Sequence, residues 1–158
     1  MSDSPYLKPG RLADVVAALQ ALSTYKFYKL TFEDWADRLS ADKSQTDRWK
    51  QVFLEHSEFF RLDGNKEKVS LVWRRQFPKR FDVDTERSIS IEEFEAYDLA
   101  RKERVSRNPL SAGDIEVLLK TAVDLHARAL EEKKESRWWV PLATAVLGAI
   151  VGLAIGKQ

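Results

Sequence analysis

His56 lies one position after Glu55 and two before Glu58. An imidazole flanked by carboxylates has the makings of a general base or a metal ligand. The same histidine also closes a stretch with helical periodicity, and a histidine at a helix C-terminus is already accounted for by the helix dipole. His126, the second of two histidines, follows Leu125 and reads as a rim residue of an amphipathic helix. The carboxylate pairs Asp34/Asp37 and Glu92/Glu93 fall at expected helix starts, where the dipole again favours them. There is no cysteine, no phosphate-cradling glycine loop, no nucleophile elbow and no HExxH. No catalytic residue, metal site or cofactor is therefore expected.

The basic side chains offer a different chemistry. Between Arg61 and Arg80 stand seven of them (Arg61, Lys66, Lys68, Arg74, Arg75, Lys79 and Arg80) against Asp63 and Glu67. With Arg48 and Lys50 a little upstream, the residues Arg61, Lys66, Lys68, Arg74 and Arg75 form a candidate surface for phosphates, whether of nucleic acid or of anionic headgroups. Lysine and arginine also guard sheet edges against aggregation. Asp47, Glu55 and Glu58 offset Arg48 and Lys50, so nucleic acid is an alternative partner rather than the favoured one.

The elements that must carry these groups follow from periodicity. Leu12, Val15, Val16, Leu19 and Leu22 recur at helical spacing and predict a first helix over Arg11 to Ser23. Tyr25 to Leu30 is aromatic-rich and suits a short strand. Thr31 caps a second helix bearing Trp35 and Leu39, and Thr46 a third in which Trp49, Val52 and Phe53 share a face. Thereafter the period changes to two. Phe60 and Leu62, then Val69, Leu71 and Trp73, alternate around an Asp63-Gly64-Asn65 turn, which predicts a hairpin.

Helix, short strand, two helices and a two-stranded hairpin, over residues 11–81, resemble the winged helix-turn-helix in order and aromatic placement. In that superfamily the third helix often reads the major groove while the hairpin touches the backbone, and many members use the same surfaces to bind proteins. Beyond Phe81, Ser88-Ile89-Ser90 followed by Ile91-Glu92-Glu93-Phe94 predicts a capped helix towards Glu103, broken at Arg107-Asn108-Pro109. Ser111 and Asp114 then open a longer helix. Along it Ile115, Leu118, Ala122, Leu125 and Ala129 form an apolar seam, free to meet a second copy or to pack on the chain's own domain.

From Trp138 to Ile155 come 18 residues without a charge. As a helix they would span roughly 27 Å, close to the hydrocarbon thickness of a bilayer. Trp138 and Trp139 suit the headgroup interface, Pro141 falls in the first turn, and Lys157 can snorkel on the far side. The excess of basic residues before this segment (Lys120, Arg128, Lys133, Lys134, Arg137) over the single Lys157 after it predicts a cytoplasmic N-terminal domain. With only three residues following, and no apolar run near Met1, the layout is that of a tail-anchored protein. Thr144, Gly148, Gly152 and Gly156 recur every four residues, a small-residue face suited to helix packing and to a homo-oligomer in lipid.

Over 158 residues, 26 Lys+Arg nearly balance 25 Asp+Glu, for a net charge of +1. That balance averages a net +4 over residues 1–81 and a net −4 over 82–137. The expected fold class is α+β and mostly helical: a flexible tail (1–10), a winged-helix-like domain (11–81), a helical connector with a long amphipathic helix (82–137) and a single transmembrane helix (138–155). The expected function is that of a non-enzymatic, membrane-tethered interaction module. A membrane-tethered DNA- or RNA-binding protein is the alternative.

Overall fold

The computed structural model describes residues 4–135. The predicted membrane segment, its interface residues Trp138, Trp139 and Lys157, and the face Thr144, Gly148, Gly152 and Gly156 lie outside them. Among the described residues no helix is long and apolar enough to cross a membrane. The fold is α+β and mostly helical, with two small antiparallel sheets.

The apolar repeat from Leu12 to Leu22 forms α1 (Arg11–Thr24), entered through Gly10. Gly10 has φ of 72°, a left-handed turn that a side chain would strain. A short strand β1 (Lys29–Thr31) runs into α2 (Phe32–Ser40), where Thr31 Oγ1 accepts from the Asp34 N–H at 3.1 Å and caps the helix. α3 (Thr46–Glu55) follows a 3-10 turn, and β2 (Phe60–Leu62) and β3 (Lys68–Leu71) form the hairpin. β1 joins the hairpin on β3, giving the order β1-β3-β2, with Leu30 opposite Val69 and Arg61 opposite Ser70. The strand lies later than the expected Tyr25 to Leu30, because Tyr25 closes α1 as its C-cap.

Two stretches depart from expectation. The first is the N-terminal tail, whose described residues pack against the domain instead of forming a flexible tail. Pro5–Leu7 form a 3-10 turn, Tyr6 is buried, and its carbonyl lies 3.0 Å from His126 Nδ1. The second is the region beyond Phe81, which is not simply a helical connector. It holds β4 (Phe81–Asp82), β5 (Arg87–Ser88) and β6 (Val105–Ser106), a second sheet in the order β5-β4-β6. The single helix expected to run to Glu103 is two, α4 (Ile91–Ala96) and α5 (Leu99–Glu103). α4 starts with a Ser90/Glu93 capping box, and the chain then turns extended at Tyr97. The Asp98 carboxylate accepts from the Arg101 N–H at 2.8 Å and restarts the helix.

The long helix α6 (Ala112–Glu135) opens at Ser111, whose Oγ accepts from the Asp114 N–H at 3.2 Å. Its seam packs on α1 and on the N-terminal turn. Leu118, Ala122 and Ala129 belong to the same core as Val15, Leu19, Trp35 and Val52, and Ile115 and Leu125 pack against it. The seam is thus consumed within the chain, which removes it as a contact for a second copy. Trp35 anchors the centre, donating from Nε1 to the Val69 carbonyl at 3.1 Å so that its one polar atom is satisfied in the core.

Candidate interaction surface

The basic residues named from the sequence separate into three groups. Arg74 is a correction. It is 0% exposed, and its guanidinium donates to four carbonyls: Nε to Asn108 at 3.1 Å, Nη1 to Leu22 at 2.8 Å and Tyr25 at 2.6 Å, and Nη2 to Arg107 at 2.5 Å. Such a group is unavailable to any external phosphate. Burial lowers its pKa to about 10, so it stays charged at neutral pH. The carbonyls of Leu22 and Tyr25 at the C-terminal end of α1 are the negative pole that this charge faces.

The second group sits on α3. Arg48 pairs with Asp14 at 2.5 Å, and Lys50 lies over the Phe32 ring at 5.5 Å. Both are exposed, yet neither belongs to a wider basic face, because Asp47 and Gln51 share the exposed surface of the helix. The third group, Arg61, Lys66, Lys68 and Arg75, is exposed on and after the hairpin. Arg75 Nη1 donates to the Leu62 carbonyl at 3.3 Å.

Where β1 approaches β6, the two sheets leave a cleft of about 500 Å3 between them. Phe27, Tyr28, Lys29 and Leu30 line one wall, and Glu103, Val105 and Ser106 the other. Lys68 and Lys79 border it as well. The walls meet where the Tyr28 N–H donates to Ser106 Oγ at 2.9 Å. Three lysines thus stand around the opening against one glutamate. Lys29 is drawn only loosely to Asp63, at 3.7 Å, and Lys79 Nζ reaches the Lys102 carbonyl at 3.4 Å. Two more cations cover the aromatic side chains: Arg104, itself paired with Asp84 at 2.5 Å, lies 5.6 Å from the Phe27 ring centre, and Arg107 5.0 Å from that of Tyr28.

The sequence pointed to the hairpin end of this surface through Lys68, but not to Lys29 as a site residue or to the opposite wall. Lys29 meets Lys68 and Lys79 only through the pairing of β1 with β3, and β6 is two residues long. Each lysine on its own looks like ordinary solvated charge. The alternation of β1 with the hairpin is the one signal that could have brought Lys29 to Lys68.

The carboxylate-flanked histidine has a different place. His56 caps the C-terminal end of α3 and is 0% exposed, with its ring edge-on to Tyr6 at 4.4 Å. Glu58 Oε1 lies 3.2 Å from His56 Nδ1 and accepts from the Tyr6 hydroxyl at 2.5 Å. Burial opposes ionisation of Glu58, but the hydrogen bonds shared with His56 and Tyr6 outweigh it and hold its pKa below the usual value. Burial first, and then the bond to Glu58 and its charge, push the Tyr6 phenol well above its ordinary pKa. Glu55 adds ion pairs to Lys8 and, at 3.0 Å, to Arg11. These groups clamp the N-terminal turn onto α3, and the imidazole is sealed from solvent. Among the described residues, no group of three His, Asp or Glu side chains is arranged to hold a metal ion.

A comparable buried carboxylate orders the second sheet. Asp82 Oδ2 accepts from the Tyr97 hydroxyl at 2.8 Å and from Arg101 Nη2 at 3.0 Å, and Oδ1 from the N–H groups of Asp84 and Thr85 at 2.9 and 3.2 Å. Burial alone would raise its pKa. The four donors overcome that and hold it far below the usual carboxylate range. By fixing β4 this carboxylate also fixes β6, the far wall of the cleft.

No family model, curated protein or solved structure matches the chain.

Proposed function

We propose that the protein is a non-enzymatic interaction module of winged-helix-like build, held at a membrane by the apolar segment 138–155, with its domain on the cytoplasmic side. The observation that carries this reading is the lysine-rimmed cleft, an open and positively charged site formed by the approach of two sheets. The helical order of the first 81 residues and the sheet order β1-β3-β2 support the winged-helix comparison. The uncharged run 138–155, with Trp138 and Trp139 at one end and Lys157 beyond the other, supports the anchor. Confinement to a surface raises the effective concentration of the cleft for partners on that surface without any new contact.

Two features weigh against the reading as a nucleic-acid binder. Arg74 is unavailable, and α3, the element that enters the major groove in winged-helix proteins of that type, presents Asp47 beside Arg48 and Lys50. Crosslinking of the full-length protein in intact membranes tests the proposal. Charge reversal at Lys29, Lys68 and Lys79 should keep the protein in the membrane fraction and folded by circular dichroism, while removing the protein neighbours captured by the wild type. An unchanged set of neighbours would overturn it. Captured nucleic acid that disappears when Arg61, Lys66, Lys68 and Arg75 are neutralised would favour the alternative instead.

A further inference from the structure

We propose that the cleft takes an extended acidic peptide, added as a strand to the free edge of β1. The inference rests on the interaction-module reading and names the partner that it requires.

The register decides which main-chain groups face the opening. The Asp63 N–H donates to the Lys68 carbonyl at 2.9 Å, and the Val72 N–H to the Phe59 carbonyl at 2.8 Å. In an antiparallel ladder the bonded pairs alternate, so Lys68 and Ser70 direct their main chain towards β2, and Val69 directs its own towards β1. Val69 stands opposite Leu30. Leu30 therefore makes the bonds to the hairpin, and the N–H and C=O of Lys29 and the N–H of Thr31 point out of the sheet on the cleft side. The far wall is built the same way. The Val83 N–H donates to the Arg104 carbonyl at 3.1 Å, which turns the main chain of Val105 away from β4. Two strand edges with outward-facing donors and acceptors thus border one opening.

Such an edge recognises a peptide by its backbone, and the surrounding side chains then select the sequence. Here the selection is by charge. Lys29, Lys68 and Lys79 outnumber Glu103, and Arg107 stands behind them over Tyr28, while Arg104, over Phe27, is already paired with Asp84. Those two guanidinium groups also separate a peptide from a single-stranded nucleic acid, which would need exposed aromatic faces for base stacking. The cleft, at about 500 Å3, is within the size range of ligand sites.

The test uses the full chain in detergent and a labelled peptide alternating glutamate with valine. Binding should be seen, with slowed hydrogen exchange at the amides of Lys29 and Thr31. It should weaken by about tenfold or more for Lys29→Glu/Lys68→Glu. A peptide alternating lysine with valine should recover affinity for that variant. N-methylation of alternate peptide nitrogens should abolish binding, because it removes the donors that a strand must supply. Equal binding of the methylated peptide would overturn the strand mode. Stronger binding of an oligothymidine probe at the same lysines would overturn the peptide. Failure of every peptide, while charge reversal still removes membrane neighbours, would overturn this inference and leave the interaction-module reading standing.

Discussion

The guanidinium of Arg74 donates to the carbonyl of Leu22, 52 positions earlier in the chain, at 2.8 Å. The same side chain reaches the carbonyls of Arg107 and Asn108. One buried cation therefore joins the end of α1, the turn after the hairpin and the strand-to-helix link before α6. Removing it would leave carbonyls buried without donors. Arg74→Ala is expected to cost about 3–5 kcal/mol by urea denaturation, the loss typical when one partner of a buried charged network is removed. Arg74→Lys should recover only part of that, because an ammonium cannot span the forked arrangement. A loss below about 1 kcal/mol for Arg74→Ala would show that the network contributes little.

Acid should weaken the second sheet. The folded-state pKa of Asp82 lies below its unfolded value. Its stabilising contribution is therefore complete above the unfolded-state value of about 3.9, and it is lost as the pH falls from there through the folded-state value. Asp82→Asn should lower stability at neutral pH by about 2–4 kcal/mol and flatten the acid limb of the stability curve. An acid limb identical to that of the wild type would place the titrating group elsewhere.

The N-terminal turn gives a graded pair. Tyr6→Phe loses one hydrogen bond to a carboxylate that water can reach, a cost of about 1 kcal/mol. Tyr6→Ala also empties the space beside His56 and should cost about 3 kcal/mol or more. Thermal melts of the two variants should therefore differ clearly; equal melting temperatures would mean that the turn does not bear on the core.

In membranes, Gly152→Ile should weaken crosslinked dimers if the face Thr144, Gly148, Gly152 and Gly156 packs two copies together. With the seam of α6 committed to α1, this face is the remaining basis for self-association drawn from the sequence. Dimers unaltered in yield would remove it.

The first half of the chain was legible because its elements are long enough to show a period. Val15, Leu19 and Leu22 repeat over about two turns of α1, and Val69 and Leu71 alternate beside buried Phe60. The second sheet was not, since two-residue strands carry no alternation and depend on Asp82 for their place. A capped helix start is legible in Ser88-Ile89-Ser90, but the place of Tyr97 at the break also depends on its hydroxyl's bond to Asp82, 15 positions away. Arg74 was misplaced for a related reason. Arginine in a basic run is ordinarily solvated, and only the convergence of carbonyls from two distant segments makes a buried position tolerable. The cleft depends on the approach of two sheets, so its lysines could be counted but not assembled.

The docking of α6 on α1 sets the order in which the chain can be completed during synthesis. Leu118, Ala122 and Ala129 cover a core begun by Val15 and Leu19, and His126 meets the carbonyl of Tyr6, 120 positions earlier. The emergence of α1 and that of α6 are separated by the translation of everything between them, on the order of ten seconds at typical rates of about 5–20 residues per second. For that interval the α1 face that α6 covers has no native partner. A fragment ending near Phe81 would hold the first sheet and three helices and still keep this face open, so it should behave as a chaperone client rather than as an independent domain.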